Sequence, residues 1–97
     1  MKVENMTSKN GNKIANQFII TDKGENGCTK TEIFQSYDSE IAIIEHQPDG
    51  SIVVYLDEQT WNYSRTTSKY RNQFLGETTK ETLAKIKSGE YILTNLN

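Results

Sequence analysis

The chain has 97 residues, of which 34% are hydrophobic and about a third are Asn, Gln, Ser or Thr, with a formal net charge of -2. That is one domain's worth of chain; no run approaches the roughly 20 apolar residues of a membrane-spanning helix, and Met1 to Ser8 lacks the apolar stretch of a secretory signal. The single Cys28 and single His46 provide neither an internal disulfide nor a Cys or His zinc pair, and the clustered Ile, Val and aromatic residues argue against intrinsic disorder, so one domain over residues 1–97 in a reducing, cytoplasmic setting is expected.

Residues 1–13 are polar, with a turn signal at Asn10-Gly-Asn, and read as an arm or a short first strand. Residues 14–56 are β-rich. Ile14 to Thr21 alternates as a strand, with Phe18 and Ile20 on one face and Ile19 on the other. Asp22 to Gly27 forms a hairpin loop in which Gly24, Asn26 and Gly27 accommodate positive φ. A second strand runs from Cys28 or Thr29 to Ser36, and Tyr37-Asp-Ser interrupts it. Glu40 to Glu45 is a third strand, with Ile41 and Ile43 on one face and Ala42 and Ile44 on the other. Gln47-Pro-Asp-Gly is a strong turn signal, because Pro48 presets φ and Asp49-Gly50 suits the positions that follow. Ser51 to Leu56 then reads as a central strand covered on both faces, since Ile52-Val-Val-Tyr-Leu is unbroken.

The period changes over residues 57–97. Thr66 or Thr67 caps a helix reaching about Leu75, with Tyr70 and Phe74 one turn apart and Gly76 as the stop. Thr78 and Glu81 form a capping box for a second helix, in which Leu83 and Ile86 are the buried stripe, Lys85 and Lys87 complement the C-terminal dipole, and Gly89 ends the helix. Tyr91 to Leu96 returns as a strand. The fold class is α+β, an antiparallel sheet of about five strands with two short C-terminal helices packed on it.

The small net charge conceals a polarised chain. Residues 31–60 hold seven acids and no Lys or Arg, whereas Trp61 to Leu75 holds Arg65, Lys69 and Arg71 without an acid, interleaved with Trp61, Tyr63, Tyr70 and Phe74. The acids Glu32, Asp38, Glu40, Glu45 and Asp57 form a candidate partner-binding surface, presenting a nucleic-acid-like negative field to a basic groove; solubility is their plainer use. Tyr63, Arg65, Lys69 and Arg71 form a candidate basic-aromatic surface for an acidic partner or for nucleic acid. Packing is expected to require neither Arg65 nor Arg71. No catalytic, cofactor-binding or metal-ligating set emerges: His46 sits beside the Pro48 turn without a neighbouring nucleophile, Cys28 has no adjacent base, no carboxylate spacing matches a Ca²⁺ loop, and Gly24-Glu-Asn-Gly lacks the ending of a phosphate loop.

Gln35-Ser-Tyr-Asp-Ser and the string Trp61-Asn-Tyr-Ser-Arg-Thr-Thr-Ser-Lys-Tyr-Arg-Asn-Gln-Phe-Leu-Gly resemble a family of small bacteriophage and prophage proteins of Gram-positive hosts. The likeness extends through Met1 to Ser8, Asn16 to Ile20, Glu77 to Thr82 and Lys87 to Asn97. Asn62, where the family tends to carry Asp, and the longer loop within Glu25 to Ile33 depart from the pattern. The resemblance brings no catalytic residues. It implies an accessory product made in the bacterial cytoplasm, of the kind devoted to host takeover or to blocking defences such as CRISPR.

The expected function is therefore binding and not catalysis: inhibition of a host defence or nucleic-acid-handling protein in an anti-CRISPR-like manner, without a cofactor and away from membranes. The alternative is a nucleic-acid-binding module using the Trp61–Arg71 surface, and a distant third is a small-ligand-binding or enzymatic homo-oligomer. A homodimer through an edge strand fits any of these.

Overall fold

The computed structural model describes residues 1–24, 27 and 29–97. The sequence readings on Asn26 and Cys28 lie outside the described residues. Six strands, β1 (Lys2–Thr7), β2 (Lys13–Lys23), β3 (Lys30–Ser36), β4 (Ser39–His46), β5 (Ile52–Asp57) and β6 (Tyr91–Thr94), form one sheet in chain order, and α1 (Arg65–Leu75) and α2 (Thr79–Ser88) lie between β5 and β6 in sequence. The fold is α+β. The first five strands make an antiparallel meander, and β6 joins β5 in parallel. A parallel neighbour requires a long crossover, which the two helices supply. No helix among the described residues is long and apolar enough to cross a membrane.

Residues 2–7 take the strand alternative of the two expected for residues 1–13 and pair with β2, which gives six strands where about five were expected. Gly11, at φ 81°, closes the connecting turn by donating to the Ser8 carbonyl at 2.9 Å. The Pro48 turn is as expected, with the Gly50 amide donating to Gln47 at 3.0 Å and Ser51 bonding the Asp49 carboxylate.

Two irregularities depart from simple alternation. Opposite Asn5–Thr7 the β2 strand bulges, with Asn16 in the left-handed region at φ 64° and its carbonyl accepting from the Tyr37 amide at 2.7 Å. In β4 an extra residue, Ile41, falls between the pairs Gln35 with Glu40 and Phe34 with Ala42. It therefore turns inward beside Ala42, and both are fully buried, which corrects the placement of Ile41 on one face with Ile43.

Directly paired residues share a face of a sheet, so Ile19, Phe34, Ala42 and Leu56 point to one side. The core lies there: Met6, Phe34, Ile41, Ala42, Val54, Leu56 and Tyr91 are buried, and Trp61, Tyr70, Phe74, Leu75 and Ile86 from the helical half pack on them. The Phe34 and Phe74 rings sit 5.9 Å apart, in a tilted aromatic contact.

The helical half brings further corrections. The cap of α1 is Ser64, whose hydroxyl accepts from the Thr67 amide at 3.1 Å; Thr67 is instead buried and bonded to Ser36 across the core. The α2 capping box of Thr78 and Glu81 is present. Its buried stripe is Thr82 and Ile86, while Leu83 is exposed. Nor is β5 covered on both faces: it lies second from the sheet edge, the helices pack on the side of Val54 and Leu56, and Val53 and Tyr55 on the other side are only half-buried.

Candidate functional site

The face turned away from the helices has a regular composition that follows from register. Val3 pairs with Ile20, Ile20 with Ile33, Ile33 with Ile43, Ile43 with Tyr55 and Tyr55 with Ile92, so an apolar row crosses all six strands. Val3 and Ile92 at its ends are 56% and 41% exposed, and the residues between them are half-buried by their neighbours. The flanking positions form two more rows: Asp22, Thr31, Glu45 and Val53 on one side, and Asn5, Phe18, Gln35 and Glu40 on the other. Neither contains a Lys or Arg. Lys13, beyond the β2 bulge, pairs with Thr7 at the β1 end.

The five acids of the candidate acidic surface are not brought together. Glu40 and Glu45 share the outer face with Asp22, which sequence reasoning did not select. Asp38 is exposed at the β3–β4 hairpin, after Tyr37 at φ 57°. Glu32 points to the helix side, where its carboxylate lies 2.7 Å from His46 Nε2 and 4.0 Å from Lys30 Nζ. Asp57 is buried, only 2% exposed. Desolvation pushes its carboxyl up, but bonds from the Leu96 amide and from Thr60 outweigh that and hold it below the ordinary carboxylate range. It ties the end of β5 to the C-terminal residues and is not available to a partner.

The basic-aromatic set divides as well. Tyr63 is 54% exposed, Arg65 and Lys69 are exposed, and all three line an open groove of about 530 Å³ along α1. Arg71 is fully buried. Its guanidinium donates to the Trp61 carbonyl, to Asn72 Oδ1 at 2.8 Å and to Thr79 Oγ1 at 2.8 Å, and lies 5.2 Å from the Trp61 ring centre. Packing therefore requires Arg71, contrary to the expectation from sequence, and it cannot touch a ligand directly. One helical turn after Thr67, with Tyr70 and Phe74 on the adjoining positions, its place on the packed side of α1 was readable from the 3.6-residue period.

A polar cluster was missed altogether. The Glu77 carboxylate, in the short connection between the helices, accepts from Lys85 Nζ at 2.8 Å, the Tyr91 hydroxyl at 2.7 Å and the Thr82 hydroxyl at 2.6 Å. Its side chain is 5% exposed. Desolvation would raise its pKa, but the three donors more than offset this and hold it below the usual carboxylate range. Burial first, and Glu77 second, push the Tyr91 phenol up to about 12, and Lys85 is raised chiefly by its bond to Glu77. No group of three or more metal-ligating side chains occurs among the described residues.

The chain belongs to a family of unknown function, DUF8033, which matches residues 1–90. No curated protein and no solved structure matches it.

Proposed function

We propose that this protein acts by binding, as a phage accessory product that engages and blocks a defence or nucleic-acid-handling protein of its bacterial host, and that the outer face of the sheet is the engaging surface. The observation that carries this reading is the apolar row Val3, Ile20, Ile33, Ile43, Tyr55 and Ile92, bordered by Glu40 and Glu45 and by Asp22, which lies 4.0 Å from the N-terminal amine, with no Lys or Arg in either flanking row. Five inter-strand spacings make the row about 24 Å long, close to the width of a standard protein interface. Among the described residues Glu40 and Glu45 make no ion pair. A protein that handles nucleic acid offers a basic groove, which the acids attract while the apolar row supplies desolvation energy.

A second copy of this chain suits the face less well. Two sheets stacked face to face by a two-fold axis must have that axis in the plane between them. An axis along the row sets the Glu40 row against the row of Asp22 and Glu45, and an axis along the strands sets each row against itself, so carboxylates gather at the interface with no Lys or Arg in either row to offset them. The decisive comparison is affinity capture from a Gram-positive host lysate with the tagged wild type and with Glu40→Lys/Glu45→Lys. The expected result is a host protein that co-purifies with the wild type, loses its nucleic-acid binding in the complex, and is lost with the double variant. Equal capture by a folded double variant overturns the assignment of this face.

A further inference from the structure

The groove along α1 lies away from the sheet face and has a different electrostatic source. Its lining includes Arg65, Lys69 and Tyr63 and no Asp or Glu. Beneath it, Arg71 donates to Asn62, Ser68, Asn72 and Thr79, four more of the residues that line the groove. All of these acceptors are neutral oxygens. Among the described residues Arg71 makes no ion pair, and its Nε has no hydrogen-bond partner. The carboxylate that acts on it electrostatically is Glu77, which is already bonded to Lys85 at 2.8 Å. Two cations therefore share one carboxylate under a wall that adds two more cations.

A buried charge held only by neutral dipoles is costly, and it projects a field that an anion above it would relieve. The backbone adds to that field. Helix α1 starts in the groove wall at Ser64 and Arg65, and α2 starts there at Thr79, so the positive ends of both helix dipoles lie at the same groove, although the Thr67 and Glu81 amides are already taken by their caps Ser64 and Thr78. Glu81, the acid in the first turn of α2, folds back onto Thr78 at 3.0 Å and is not part of the lining. With Asn62 Oδ1 accepting from Arg71 and from the Ser68 hydroxyl, the Asn62 amide nitrogen remains as a donor in the wall.

We infer that this groove binds a phosphate group, with Arg65 and Lys69 as its contacts, the buried Arg71 as a fixed positive field beneath, and Tyr63 placed to stack on an attached base. The phosphate belongs either to a single-stranded nucleic acid or to a free mononucleotide or inorganic phosphate. Both sources share the chemistry, and they differ in what Tyr63 contributes.

The test follows backbone amide NMR shifts of the full chain at low salt during titration with inorganic phosphate, with a mononucleotide, and with a fluorescent single-stranded oligonucleotide also read by anisotropy. Expected are shifts confined to residues 62–72 and 79–80, and a loss of roughly tenfold or more in affinity for the Arg65→Ala/Lys69→Ala variant, whose exposed substitutions leave the fold intact. If a strand is the source, the oligonucleotide binds more tightly than the mononucleotide, weakens as salt rises, and loses roughly tenfold with Tyr63→Ala. If a small phosphate is the source, the oligonucleotide gains nothing over the mononucleotide. Absence of groove shifts with all three probes, or unchanged affinity in the folded double variant, overturns the site.

Discussion

On the side of the sheet that carries the helices, two charges are enclosed and bonded: Arg71 holds the Trp61 carbonyl, Asn72 and Thr79, and Glu77 gathers Lys85, Tyr91 and Thr82, while Arg65 and Lys69 stay exposed on the surface of α1. On the outer side Glu40 and Glu45 flank a row of apolar side chains that no helix crosses. The same residue types thus serve two ends. The enclosed charges connect segments that share little regular structure, and the exposed ones are left for something else to meet. Residue type does not separate these roles; the neighbours each fold position provides do.

The strongest way to break that contrast is at Arg71. Arg71→Met keeps most of the side-chain volume but strands the oxygens of Trp61, Asn72 and Thr79. Each buried oxygen left without its donor costs about 1–3 kcal/mol, so three of them amount to about 3 kcal/mol or more, which for a domain of this size is a fall of more than about 12 °C in melting temperature. Thermal and urea denaturation check it. A melting temperature within a few degrees of wild type would make Arg71 a surface cation and dissolve the distinction between the two sides.

Glu77 sharpens it through pH. The folded carboxyl sits below its ordinary value, so the unfolded chain binds more protons in acid. The stabilisation is fully present above the ordinary carboxylate pKa of about 4.3 and is lost as pH falls through the lower, folded value. Glu77→Gln is expected to lose about 2 kcal/mol at neutral pH and to show a shallower acid decline, measured by urea unfolding at a series of pH values. Identical pH profiles would mean that the carboxylate's charge contributes nothing. Tyr91 provides the opposite limb. Its pKa is raised, so its contribution holds below the ordinary phenol value and fades as pH rises toward about 12.

Local punctuation was legible in the sequence because it depends on few residues. The Thr78–Glu81 capping box, the Pro48 turn and the glycine stops Gly76 and Gly89 stand where spacing put them. The long-range facts were not. A one-residue bulge at Ile41 reverses its face without altering the pattern Ile-Ala-Ile-Ile, and the parallel seating of β6 depends on where two helices return the chain. The candidate sites were half legible for the same reason. Tyr63, Arg65 and Lys69 do line one groove, but Arg71 belongs to the interior. The apolar row could not be seen before register was known, since its members come from six separate strands.

The smallest effect on stability is expected where the outer face is most apolar. Ile43 lies at the centre of the row and is half-buried by strand neighbours alone, with Ile33 on one side and Tyr55 on the other. Ile43→Thr keeps a β-branched side chain suited to a strand and puts its hydroxyl where water can reach it, so a loss of about 1 kcal/mol or less follows. The same substitution interrupts the row that the proposed partner must cover, and capture of that partner should fall while the melting temperature barely moves. A loss several times larger would mean that Ile43 is as enclosed as Ile41 two positions earlier, and the outer face would then be a second interior and not a surface awaiting a partner.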